Sequence, residues 1–127
     1  MELYFPTELP QQLAFISAAV VALSGLLVLL LPASALRLGG FTTGDITPEG
    51  FAAARSSGGL NLGLGLTALA LAQDFTYLML GVALLLAAGG RILSLFMDRG
   101  WTARNGVMLA IQLLLAAMPL GYVLGYF

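Results

Sequence analysis

The chain of 127 residues contains no cysteine and no histidine, and its five cationic residues are all arginines, so lysine is absent too. These absences exclude disulfides, the usual haem, iron–sulfur and zinc ligands, and Cys or His nucleophilic catalysis by this chain itself. With a net charge of −1, the chain also has no basic field that would hold a nucleic acid. We therefore expect a non-enzymatic protein with no catalytic residues, no metal, no cofactor and no nucleic-acid partner.

Charged residues are scarce, and apolar residues take their place. Hydrophobic residues make up 60% of the chain, compared with about 45–50% in soluble proteins, and the mean hydropathy is +0.99. The first residues, MELYFPTELPQQ, are acidic where a secretory signal is positively charged, so we interpret the first apolar run as a retained helix. The length fits one domain, and we predict a single membrane domain over residues 1–127.

Four stretches are long enough to cross a bilayer, which takes about 20 residues. We predict an all-α fold, a polytopic membrane protein built as a four-transmembrane-helix up-and-down bundle. The predicted helices cover about residues 11–31, 48–73, 75–97 and 102–126. Thr47-Pro48-Glu49 is a helix-start signal, because threonine caps, proline needs no amide partner at the first position, and the acid faces the positive end of the dipole. In the long first connection, SALRL can form a short interfacial segment.

The five arginines predict the orientation of the bundle. All of them flank the first or the third connection: Arg37, Arg55, Arg91, Arg99 and Arg104. By the positive-inside rule that side is cytoplasmic, and both termini then lie outside. Aromatic residues are expected at the two interfaces. The outer belt would contain Tyr4, Phe5, Phe75, Tyr77, Tyr122, Tyr126 and Phe127, and the inner belt Phe41, Phe51, Phe96 and Trp101.

The second helix combines a small, polar face with a leucine face. At 100° per residue, the small face contains Ala54, Ser57, Gly58, Asn61, Gly65, Ala68 and Ala72. In lipid, helices associate where small residues let backbones approach, so this face should meet protein. Gly59 and Gly63 form a second small pair, which predicts a second neighbour. The helix-packing candidates are Gly58, Gly59, Gly63, Gly65, Gly89, Gly90, Gly121 and Gly125, with Gly81 and the Ser24-Gly25 pair of the first helix as further contact points.

Arg55 and Arg91 lie at matching depths, roughly 10 Å from the inner surface. In one interpretation they hold an anion together, such as a lipid phosphate, a quinone oxygen or a partner's carboxylate. In the other, each arginine snorkels to the headgroups or caps carbonyls within the bundle. Asp98 shares a helix face with Arg91 and Ser94, and would meet Arg91 only if the arginine points towards the surface. Arg104 competes for the same carboxylate.

Asn61 and Gln112 are the other polar residues near mid-membrane. We interpret both mainly as links between helices, each worth about 1 kcal/mol. Pro119 is expected to bend the last helix.

Two motifs carry a family resemblance: Arg55-Ser-Ser-Gly58-Gly59-Leu-Asn61-Leu-Gly63-Leu-Gly65, and, one helix later, Gly90-Arg91-Ile-Leu-Ser94-Leu-Phe-Met-Asp98-Arg-Gly100. The pair resembles the DUF4345 family of small bacterial four-helix membrane proteins, and the likeness covers nearly the whole chain. The resemblance implies a fold similar to DoxX-like four-helix proteins and a place in the bacterial inner membrane, with no activity attached. It singles out Arg55, Gly58, Gly59, Asn61, Gly65, Gly90, Arg91, Ser94 and Asp98.

Two hypotheses for function follow. The first is an accessory subunit of a larger membrane complex, or a homo-oligomer, that works by helix packing, with membrane lipids and other subunits or itself as partners. The alternative is a lipid- or quinone-binding or transport module in which Arg55 and Arg91 orient a polar head group. The ligand- or partner-binding candidates are Arg55, Asn61, Arg91, Ser94, Asp98 and Gln112.

Overall fold

A computed structural model shows an all-α chain, as predicted, and describes residues 8–38, 40, 43–98 and 102–125. Within these residues there are five α-helices and one 3-10 turn, Thr43–Asp45. The helices are α1 (Leu9–Leu30), α2 (Pro32–Leu38), α3 (Pro48–Leu71), α4 (Asp74–Met97) and α5 (Ala103–Leu124). Helix α2 is additional to the four predicted helices and forms from PASALRL, the segment that contains SALRL.

Local chemistry explains where the helices begin. The Thr47 side chain accepts a hydrogen bond from the Gly50 amide at 3.1 Å, and Pro48 follows at the first helical position, which confirms the predicted start of α3. Thr102 caps α5 in the same way, by accepting from the Asn105 amide at 3.2 Å. Each cap satisfies an amide that has no partner inside its own helix.

Three helices, α1, α4 and α5, are long and apolar enough to cross a membrane. Helix α3 has 24 residues and is as long as α4. Among the long helices that the structure describes, however, α3 is the one that is not apolar enough to meet this criterion. Arg55, Asn61 and the glycines of α3 make it less apolar than its neighbours. This composition is typical of a helix that is stabilised by contacts with other helices rather than by surrounding lipid.

The helices pack as two antiparallel pairs, α1 with α3 and α4 with α5, and α1 also contacts α5. In the first pair, a Cβ added to Gly25 would lie 2.6 Å from the Gly58 carbonyl oxygen, and one added to Gly65 would lie 2.7 Å from the Ala18 carbonyl oxygen. In the second pair, Gly81 packs against Leu120. These are the close approaches that glycine permits.

Helices α3 and α4 contact each other much less, although only Ala72 and Gln73 separate them. Ala72 adopts a left-handed conformation, with φ of +48°, where α3 ends. The short link therefore brings the two helices together at one end, while their main contacts are with α1 and α5.

The core lies where the two pairs meet and consists mostly of small side chains. Its buried residues are Ala14, Ala18, Val21, Ala68, Tyr77 and Leu80. Tyr77, predicted to lie in the outer aromatic belt, is instead fully buried at 0% exposure. Its ring packs edge-on against Tyr122, with centroids 5.7 Å apart and an interplanar angle of 87°. An aromatic belt prediction considers only the position along the chain, whereas the face of the helix decides whether the ring meets lipid or protein.

Candidate functional site

Arg91, on α4, forms the most extensive polar cluster of the described residues. Its Nε donates to Gln112 Oε1 at 3.0 Å, and its Nη1 donates to Asn105 Oδ1 at 3.2 Å. Asn105 and Gln112 are two turns apart on α5, so both side chains lie on the face of α5 that meets α4. All three residues are half-buried. The cluster links α4 to α5 through charge-assisted hydrogen bonds.

Arg55, on α3, reaches α1. Its Nη1 donates to the backbone carbonyl of Leu29 at 2.7 Å. Leu29 lies in the last turn of α1, where carbonyls have lost their intrahelical partners and the helix dipole is negative. Arg55 thus caps α1, as in the second interpretation of the arginines given above.

The Arg55 side chain also lines a cleft of about 320 Å³ at the junction of α1, α2 and α3. The other lining residues are Leu30, Leu31, Pro32, Ala33, Ser34 and Phe51. Its walls are therefore mostly apolar, with one guanidinium group at the side.

The two arginines make their hydrogen bonds at separate places. Arg55 connects α3 to α1, and Arg91 connects α4 to α5. The pairing of the helices explains this separation, since α3 and α4 contact each other little. The geometry does not favour a single anion held by both guanidinium groups.

Arg104, in the first turn of α5, makes a third connection between helices. Its Nη1 donates at 3.1 Å to the carbonyl of Arg37, in the last turn of α2. The Arg104 stem also packs beside Gly40, whose positive φ of +98° suits glycine. Arg99 lies outside the described residues. Arg55, Arg91 and Arg104 therefore each join two helices, all near the end of the bundle where α1 ends and α5 begins.

Ser94 and Asp98 pair with each other on α4. The Ser94 hydroxyl donates to Asp98 Oδ2 at 2.9 Å, and the Asp98 carboxylate is exposed. The arginine that Asp98 could have met points elsewhere: Arg91 points towards α5, and its competitor Arg104 points towards α2. The acid and the hydroxyl form a local contact at the end of α4.

Asn61 is half-buried where α3 crosses α1, and its backbone lies 3.0 Å from a Cβ added at Gly25. It is therefore placed on the α1 side of α3 and lies apart from the Arg91 cluster. Gln112, the other predicted mid-membrane link, does join two helices, but through Arg91.

The glycines divide into two groups. Gly58, Gly65 and Gly121 are buried. A Cβ at Gly59 would touch only the tip of Leu29, at 4.0 Å. At Gly63, Gly89, Gly90 and Gly125 an added Cβ would meet nothing within 4 Å among the described residues, so these four do not pack against any helix that the structure describes. Gly125 instead caps the C-terminus of α5 in a left-handed conformation, with φ of +82°.

One connection was not predicted from the sequence. The Ser17 hydroxyl, on α1, donates to the Leu115 carbonyl of α5 at 2.6 Å. Pro119, four residues after Leu115, has no amide to donate to that carbonyl. Ser17 therefore satisfies a carbonyl that the proline leaves free, as neighbouring helices do for prolines in membrane helices. The available signals were a serine in a mainly apolar part of α1 and the internal proline of α5.

The sequence pattern was also not interpreted as placing Asn105 beside Arg91. The spacing of two turns between Asn105 and Gln112 places two amides on one helix face, and this spacing could have identified Asn105 as a second partner for an arginine.

Comparison of the chain with protein-family models, with curated proteins and with solved structures finds no match. The resemblance to the DUF4345 family therefore stays a prediction, and function must be inferred from the geometry of this chain.

Proposed function

We propose that this protein is a four-span integral membrane protein of the bacterial inner membrane that works by packing against another membrane protein or a second copy of itself. The observation that carries the proposal is an open groove of about 330 Å³ between α3 and α4. It is lined by Gly59, Leu60, Gly63, Leu64, Thr67 and Met79. Gly63 is exposed in it, and an added Cβ there would meet nothing within 4 Å.

A groove of this kind fits a transmembrane helix. Small residues are favoured at helix interfaces in membranes because van der Waals contact and hydrogen bonding, rather than the hydrophobic effect, hold helices together there. Gly59 and Gly63 have the spacing of such an interface. Thr67, one turn further along, is exposed and offers a hydroxyl group. A partner helix would restore the close packing that α4 does not provide.

The proposal that α3 is a fourth span follows from its contact with α1. The two helices touch from Ala18 and Gly65 at one level to Leu29 and Gly58 at another. At 24 residues, α3 is roughly 36 Å long, enough for the hydrocarbon of a bilayer. Because α1 is a candidate span, a helix packed along it lies in the same layer. Asn61 faces α1, Thr67 faces the groove, and Arg55 lies at the arginine end, which we assign to the cytoplasm.

We do not propose the alternative in which Arg55 and Arg91 orient one polar head group. Their hydrogen bonds link different pairs of helices, and the Arg91 guanidinium already binds two side chains.

The test is the mass of the protein purified in a mild detergent. Native mass spectrometry should find the wild-type chain as an oligomer or with a co-purifying membrane protein. Gly63→Leu fills the groove and should release the monomer while circular dichroism shows unchanged helix content. Gly89→Leu is the matched control, because Gly89 is an equally open glycine outside the groove. A wild-type chain found only as a monomer, or dissociation by Gly89→Leu and not by Gly63→Leu, would contradict the proposal.

A further inference from the structure

The cleft at the junction of α1, α2 and α3 combines apolar walls with a single cation. Leu30 and Leu31 come from the end of α1, and Phe51 and Arg55 from the first turns of α3. Phe51 and Arg55 are one turn apart and lie on the same face of α3. The cleft therefore presents a ring and aliphatic side chains beside a guanidinium group.

The Arg55 guanidinium has donors to spare. Its hydrogen bond goes to the Leu29 carbonyl, which is neutral, so its positive charge is not cancelled by that partner. A guanidinium group carries several N–H donors in a planar fork that suits phosphate oxygens. The residue is also exposed. It can therefore cap α1 and still bind an anion from the side of the cleft.

The depth of Arg55 suits a lipid rather than a small solute. It lies about two turns inside α3, roughly 10 Å from the first residue of the helix. In a membrane this level is near the boundary between headgroups and acyl chains, and an arginine stem extends towards the headgroups. A phosphate there would be joined to an acyl chain that continues along apolar side chains.

We infer that this cleft binds an anionic membrane lipid, with its phosphate on Arg55 and an acyl chain against Leu30, Leu31 and Phe51. The inference rests on the proposed membrane location of the chain but not on its proposed association. It differs from the two-arginine alternative, because Arg91 takes no part.

The test is native mass spectrometry of the delipidated full chain in detergent, titrated separately with phosphatidylglycerol, phosphatidylcholine and inorganic phosphate. Each wild-type chain should retain one phosphatidylglycerol at least about tenfold more tightly than phosphatidylcholine, because the choline cation offsets the phosphate charge that attracts the Arg55 guanidinium. Arg55→Gln should abolish this preference, because glutamine is polar but carries no charge. Ala33→Phe should have the same effect by filling the cleft while Arg55 stays in place.

Arg104→Gln is the matched control, since it removes the same charge at the same end of the bundle, from a group that binds the Arg37 carbonyl. It should leave the preference unchanged. An unaltered preference in both Arg55→Gln and Ala33→Phe, or an equal loss in Arg104→Gln, would overturn the inference. Binding of inorganic phosphate that displaces the lipid would identify a free anion as the ligand and would overturn it too. Gly63→Leu should retain the lipid. A failure of the proposed association between chains can therefore be distinguished from a failure of the lipid site.

Discussion

Helix α3 has two faces that carry the same residue type and meet different surroundings. On one face, Gly58 and Gly65 touch the backbone of α1. On the other, Gly59 and Gly63 line an open groove beside α4. Gly58 and Gly59 are adjacent in sequence, yet only the first is buried. The difference shows that the role of a glycine in this helix depends on the helix that approaches it. It divides α3 into a face packed against α1 and a face that no described helix covers.

The largest effect is expected from Gly58→Ala. The new Cβ would lie 2.7 Å from both the Gly25 carbonyl oxygen and the Leu29 amide nitrogen, so α1 and α3 must move apart. Overpacking of this kind costs about 1–3 kcal/mol, and we expect the upper part of that range because the obstacles are backbone atoms. Reversible unfolding in mixed micelles would measure it. Gly59→Ala is the adjacent control, and an equal loss in both variants would contradict the division of α3 into two faces.

Arg91→Met should have the next largest effect, on the α4–α5 pair. Methionine keeps an apolar stem but removes the hydrogen bonds to Asn105 and Gln112, which is expected to cost about 1–2 kcal/mol. A double-mutant cycle with Gln112→Leu, followed by the same unfolding measurement, should show coupling between the two positions. Strictly additive losses would mean that the cluster does not hold the two helices together.

Ser17→Ala should destabilise the α1–α5 contact by about 0.6 kcal/mol, the average for a hydrogen bond between membrane helices, and by no more than about 1.7 kcal/mol. The cost arises because the Leu115 carbonyl loses its donor. In a Pro119→Ala background residue 119 regains an amide that can bond to Leu115, so the effect of Ser17→Ala should fall towards zero. Ser24→Ala is the control, since its hydroxyl bonds to the Val21 carbonyl of its own helix. The same cost with and without the proline would contradict this account.

The smallest effect is expected from Gly63→Ala, which tests the open face directly. No other helix of the described residues lies within 4 Å of the added Cβ, and alanine is the better helix former, so the monomer should gain up to about 1 kcal/mol. A clear loss of monomer stability, measured by the same unfolding assay, would mean that the groove is closed by α4 in solution.

The sequence predicted the small face of α3 because helical periodicity places Gly58 and Gly65 together whatever the fold. It did not predict the helix that this face meets. Only Ala72 and Gln73 separate α3 from α4, and yet α1 is the main partner of α3. Periodicity describes one helix at a time, and the choice of partner depends on a match between two surfaces that are distant in sequence.

The arginines show the same limit at the candidate site. Arg55 and Arg91 stood out because charge is rare in an apolar helix. Their partners did not stand out. Arg55 donates to the backbone carbonyl of Leu29. Every residue has a backbone carbonyl, and it is free to accept from a side chain only where a helix ends. The Ser17 contact was within reach, because the position of Pro119 fixes which carbonyl lacks a donor.

The link of Ala72 and Gln73 has a consequence for how a complex would be assembled. It closes one end of the space between α3 and α4, so in the membrane arrangement that we propose a second helix would have to reach the groove from the side rather than end-on. Such a helix must already be inserted and diffuse laterally until it meets the groove. Synthesis and insertion of the two chains can then be independent events, and the complex would form only after both have reached the membrane.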